Sequence, residues 1–97
     1  VVRELEGHGI GTQMEESPGI PNYGRQGHGP KLRNGMTICI EPMITAGSRN
    51  VYLDKNGWAV HTADHRNAAH YELTVVVRKG HAEQLSTFDF IENNVKF

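Results

Sequence analysis

The chain has a single cysteine, Cys39, and so no internal disulfide; that points to a reducing, cytoplasmic setting. No apolar run approaches the roughly 20 residues of a membrane span, and no basic-plus-apolar leader opens the sequence. Neither charge dominates. Ten Lys and Arg face 11 Asp and Glu, a net charge of −1, which leaves no overall electrostatic footprint for nucleic acid or an anionic membrane surface. Aromatic residues are scarce at 7% and hydrophobic residues reach only 37% of 97 residues, so the core is thin for one domain. Repeats and low-complexity blocks are absent as well. Methionine is missing from position 1, and Val1-Val2-Arg3-Glu4-Leu5 reads like the middle of a strand. The expectation is a partial domain over residues 1–97, a piece of a longer protein.

Turn formers are plentiful. Between Gly7 and Gly35 stand Gly7, Gly9, Gly11, Pro18, Gly19, Pro21, Gly24, Gly27, Gly29 and Pro30. Regular helix is excluded there, since glycine costs about 1 kcal/mol and proline about 3 kcal/mol at interior helical positions. That half is expected to be loop, held in shape by a core or a ligand. The second half reads as strands. Met36 to Glu41 is a short apolar run with Cys39 and Glu41 on one face and Ile38 and Ile40 on the other. Val51–Leu53 and Trp58–Val60 flank Asp54-Lys55-Asn56-Gly57, and Asn-Gly between strand formers signals a hairpin. Tyr71 to Val77 is a third strand, with Glu72, Thr74 and Val76 sharing a face. A Lys79-Gly80 turn leads to a weaker segment at Glu83–Leu85, and Thr87–Asn94 reads equally as strand or short helix. The sum is a mainly antiparallel sheet, nearly helix-free and bare on one face. A missing part of the same protein, or a second copy of the chain, would cover it.

Three positions carry the chemistry. His8 sits in Gly7-His8-Gly9-Ile10-Gly11, where glycines let a backbone approach a metal or substrate closely. A histidine in a flexible turn explains that pentapeptide as well. Glu41 follows Ile38-Cys39-Ile40 and precedes Pro42, which stops the ladder and puts the carboxylate at an edge or cleft. An acid there needs a partner or a metal if it is buried, although a solvated strand end would serve equally. Glu72 repeats the pattern in Tyr71-Glu72-Leu73-Thr74. Together the imidazole and the two carboxylates, spaced 33 and 31 residues apart, suit a borderline divalent metal with open coordination positions.

The other side chains have humbler readings. His28, His61, His65 and His81 read as surface residues. His70, two before Glu72, is the best candidate to support the ligands from behind. Cys39 reads as a small buried side chain that lines the cleft, and no pattern supports it as a nucleophile. Trp58 and Met14 are either packing residues or the border of an apolar side-chain pocket.

Read together, Gly-His-Gly-Ile-Gly, Pro18, Leu32-Arg33-Asn34-Gly35-Met36-Thr37, Ile40-Glu41-Pro42-Met43, Asn56-Gly57-Trp58 and His70-Tyr71-Glu72 resemble the C-terminal part of the type I methionine aminopeptidases, from about Val1 to Leu85. The resemblance implies an α+β fold, the C-terminal portion of the pita-bread (creatinase/aminopeptidase) architecture, mostly antiparallel β in this stretch. It implies a cytoplasmic metallopeptidase that removes N-terminal methionine from nascent proteins, using two divalent ions (cobalt, manganese, iron or zinc). His8 and Glu41 would be ligands, Glu72 a ligand shared by both ions, and Glu41 a proton carrier as well. Met14 and Trp58 would border the methionine pocket. The Glu41–Glu72 interval has no room for the helical insertion of the type II enzymes.

Two positions depart from the family pattern. Glu15 stands where a second histidine is usual, seven residues after His8, and Leu73 stands where a histidine usually follows the bridging glutamate. A carboxylate at 15 repels a developing oxyanion unless it is protonated or turned away. The family's two aspartate ligands and a further histidine have no counterpart in these residues, so the 97-residue chain is expected to be inactive alone. A catalytically silent peptide- or protein-binding module on the same fold is the alternative, and a small β-domain of unrelated function the third reading.

Overall fold

Residues 1–89 are described by the computed structural model, and nine strands run through residues 7–84. In chain order these are β1 (Gly7–Gly9), β2 (Glu16–Ile20), β3 (Thr37–Ile40), β4 (Met43–Thr45), β5 (Val51–Leu53), β6 (Val60–Thr62), β7 (Ala68–His70), β8 (Leu73–Arg78) and β9 (His81–Gln84). Five form one antiparallel sheet in the order β2-β1-β3-β8-β9, while β4 pairs with β7 and β5 with β6.

The sheet centres on β3 and β8, where β-branched and apolar side chains favour a pleated, buried surface. Ile38 faces Val75 and Cys39 faces Thr74 across the ladder. Ile38, Cys39, Val75 and Val76 are buried, as is Val2. Consecutive residues point to opposite faces, so the burial of both Ile38 and Cys39 means that both faces of the sheet are covered at its middle. Among the described residues no helix is long and apolar enough to cross a membrane.

Several expectations need correction. Val1–Leu5 is not a strand; Val2 makes one backbone bond, its N–H donating to the Met43 carbonyl, and joins the core without a ladder. The glycine-rich stretch is not all loop, because β1 and β2 lie within it. The reason is steric. A Cβ at Gly7 would overlap the Cys39 carbonyl oxygen, and one at Gly9 the Ser17 carbonyl oxygen. Glycine here permits a close backbone approach, and the close approach makes the strands. A register irregularity between His8 and Gly9 bends β1 at the histidine, as bulges do.

The hairpin exists but its turn is wider than Asn-Gly suggests. Leu53 pairs with Val60, which leaves Asp54–Ala59 as the loop and Trp58 inside it, outside the strand. Gly57 takes a left-handed φ of 83°, while Asn56 instead accepts the N–H groups of Trp58 and Ala59 on its side-chain oxygen. Tyr71 and Glu72 do not belong to a strand. The chain leaves the β4–β7 ladder at His70, crosses at Tyr71-Glu72 with the Tyr71 N–H donating to the Pro42 carbonyl, and joins the main sheet at Leu73. His70 and Glu72 therefore sit on opposite sides of a crossing, not on one strand face. The Lys79-Gly80 turn is present, and β9 starts earlier than the weak segment at Glu83. Of the Thr87–Asn94 tail, residues 90–94 lie outside the described residues.

Candidate metal centre

β1, β3 and the Tyr71-Glu72 crossing bring the three sequence-selected residues together. His8 is the cross-strand partner of Cys39, so its side chain rises beside the end of β3, where Glu41 lies one residue beyond the ladder. The His8 Nδ1 is 2.8 Å from the Gly9 carbonyl oxygen and donates to it. That bond leaves Nε2 free, 3.1 Å from Glu41 Oε1. The same hydrogen bond is the main reason the His8 pKa is raised; burial opposes it, and the negative charge of Glu41, Glu15 and Glu72 adds to it.

The other Glu41 oxygen, Oε2, lies 3.5 Å from His70 Nε2. His70 therefore contacts the central carboxylate directly, which sequence distance from Glu72 did not reveal. The β4–β7 pairing of Met43 with His70 supplies that contact, since Met43 is two residues from Glu41. The Asn22 side-chain amide donates to the Glu41 carbonyl and steadies the same corner from the loop after β2.

Two groups of ligand-bearing atoms result: His8, Cys39 and Glu72 in one, Glu41, His70 and Glu72 in the other, each within 4.8 Å of one another. Glu72 belongs to both. The donors are imidazole nitrogen, carboxylate oxygen and one thiol, a set that suits borderline divalent ions. Cys39 is fully buried and its Sγ lies 3.5 Å from the Thr74 hydroxyl.

The remaining selected residues are placed differently. Glu15 lines an open cavity of about 310 Å³ with His8, Glu6, Glu16 and Ser17. Met14 is exposed and does not line the cavity beside His8. Trp58, 79% exposed, borders a second cavity of about 500 Å³ whose walls include Val2, Met43, Val51 and His70. Met14 does not share the cavity that Trp58 borders.

Residues 1–79 match the profile of metallopeptidase family M24. The methionine aminopeptidase of Clostridium acetobutylicum is 53% identical over 77 residues, 79% of this chain and 31% of that protein. Methionine aminopeptidase 1 of Bacillus subtilis is 47% identical over the same shares. Among solved structures, methionine aminopeptidase from Rickettsia prowazekii superposes with a TM-score of 0.82 at 44% identity, covering 86% of this chain and 34% of that one. The Thermotoga maritima enzyme gives 0.83 at 43%, covering 87% and 34%. The chain thus spans about a third of the length of these relatives, and its sheet is the corresponding portion of their pita-bread fold.

Proposed function

This chain belongs to metallopeptidase family M24, and on that premise we propose that it is part of a methionyl aminopeptidase acting on the N-terminal peptides of nascent proteins in the cytoplasm. Residues 1–97 make a partial domain that supplies His8, Glu41 and Glu72 to the site. The observation that carries this reading is the sharing of Glu72 between the two ligand groups, since a carboxylate with two oxygens can serve two ions at once. The residues present fit such a pair in donor type. Cobalt, manganese, iron and zinc all accept nitrogen and oxygen donors.

When bound, divalent ions supply Lewis-acid polarisation of the peptide carbonyl and a nucleophile at neutral pH. The chain's own residues do the rest. His8 presents Nε2 because Gly9 holds Nδ1. Glu41, contacted by imidazoles from both sides, is placed to hold and pass on a proton. His70 restrains that carboxylate. Trp58 borders the cavity that would take the methionine side chain; Met14, the other residue assigned to that pocket, is exposed on the loop between β1 and β2.

The silent binding module keeps one observation in its favour: Glu15 brings a carboxylate, not an imidazole donor, into the cavity beside His8. Turnover of a methionyl tripeptide by the complete parent protein decides between the two. The expected result is metal-dependent hydrolysis, reduced about 10²–10⁴-fold by Glu41→Gln and raised by Glu15→His, with no turnover by residues 1–97 alone. A parent protein that binds the peptide without hydrolysing it, with any of the four metals, would establish the silent relative.

A further inference from the structure

Among the described residues, a further cluster of titratable groups lies at the turn end of the β5–β6 hairpin. His61 Nε2 stands 2.6 Å from Asp54 Oδ2. Tyr52 is the direct cross-strand partner of His61, and its ring stacks on the imidazole with centroids 5.3 Å apart. His65 meets the Tyr52 ring edge-on at 6.3 Å. The contact between Asp54 and His61 closes the base of the loop that carries Trp58.

That loop has little else to define it. Its backbone bonds run from the Asp54 N–H to the Ala59 carbonyl and from the Gly57 N–H to the Asp54 carbonyl, so both involve Asp54. Asn56 accepts from the Trp58 and Ala59 N–H groups. The indole itself is largely exposed, at the rim of the cavity it shares with His61 and His70. A six-residue loop of this kind samples alternatives unless its ends are tied.

We propose that Asp54 and His61 are positioning residues: their contact sets where the indole of Trp58 stands at the cavity mouth, and with it the shape of the methionine side-chain pocket. The inference rests on the reading of Trp58 as a pocket residue, and adds Asp54 and His61, of which His61 also lines that cavity. The groups that face His61 are Asp54 and Tyr52 on the hairpin, with Lys55 next to Asp54 in the loop, His65 beyond β6, and His70 across the cavity. Only Asp54 is within ion-pair distance of His61 among the described residues. The His61 contact in turn keeps the Asp54 carboxyl below its usual range.

Trp58 is the one tryptophan of the chain, so time-resolved fluorescence anisotropy of the full 97-residue chain reads the loop directly. Asp54→Asn and His61→Gln should raise the loosened population, seen as a larger fast nanosecond component, roughly two- to five-fold, the range open to an exposed ion pair. Asp54→Glu should restore most of the restraint, and His65→Gln should leave the decay unchanged. Decays for Asp54→Asn and His61→Gln that superimpose on the original would overturn the proposal. In the complete parent, Asp54→Asn should raise KM for a methionyl peptide with little change in kcat. Absence of all peptidase activity there would sink the functional reading while the anisotropy still decides the clamp.

Discussion

Asp64 shows how much a single exposed side chain can organise. Its Oδ2 accepts the Ser48 N–H at 2.7 Å and its Oδ1 the Arg66 N–H at 3.1 Å, tying the link before β5 to the link after β6. Those backbone donors are the chief reason its carboxyl lies below the ordinary value of 3.8. A group whose folded pKa is lowered stabilises the fold above its unfolded pKa and ceases to do so as pH falls through its folded one. Asp64→Asn should therefore melt below the unaltered chain at pH 7, and the gap should close as pH falls below the ordinary carboxyl value of 3.8 and through the lowered folded one. Melting curves with a gap independent of pH would show that charge is not what Asp64 contributes. The site residues follow the same pattern of local control. His8 was legible from its glycines because the chemistry and the sterics coincide in five consecutive residues. His70 was legible only as a neighbour of Glu72, since its contact with Glu41 depends on a β4–β7 register that no local pattern encodes.

At the scale of elements, periodicity told most where side chains alternate. The β3 and β8 strands, the β5–β6 hairpin and the Lys79-Gly80 turn could all be read from apolar runs and turn residues. β1 and β2 could not, because their pairing depends on the absence of side chains: Gly7 and Gly9 lie against the carbonyls of Cys39 and Ser17, and composition alone registers those glycines as breakers. Pairing between distant segments also split the expected Tyr71–Val77 strand, since His70 bonds to β4 while Leu73 bonds to β3. The centre of the sheet carries the energy. Ile38 is 3% exposed and opposite Val75, so Ile38→Ala should cost about 2–5 kcal/mol, measured by urea unfolding. A loss below about 1 kcal/mol would mean that the β3–β8 ladder is not the core.

The whole molecule is larger than its mass requires. Its accessible surface is 7787 Å², against roughly 5,500 Å² for a compact monomer of this size. Its radius of gyration is 15.4 Å, against roughly 12.5 Å. Ile44, Leu53, Trp58 and Leu85 are each more than half exposed. Such a surface is that of part of a domain, in keeping with a chain that spans about 31% of its relatives. It is available to the rest of the parent protein or to another copy. Glu41 lies one residue beyond β3, the strand that holds Ile38 and Cys39 in the core. On the proposed metal reading, occupancy of the centre and integrity of the fold would be coupled through that strand end. An ion that binds only the folded chain stabilises it by about 2.7 kcal/mol at one hundred times its dissociation constant, so Mn²⁺ should raise Tm in proportion to the logarithm of its concentration. The amides of Ile38 and Cys39 should exchange with solvent more slowly as it does. The coupling would run in both directions, because a change that loosens β3, such as Ile38→Ala, would also displace Glu41 at its end.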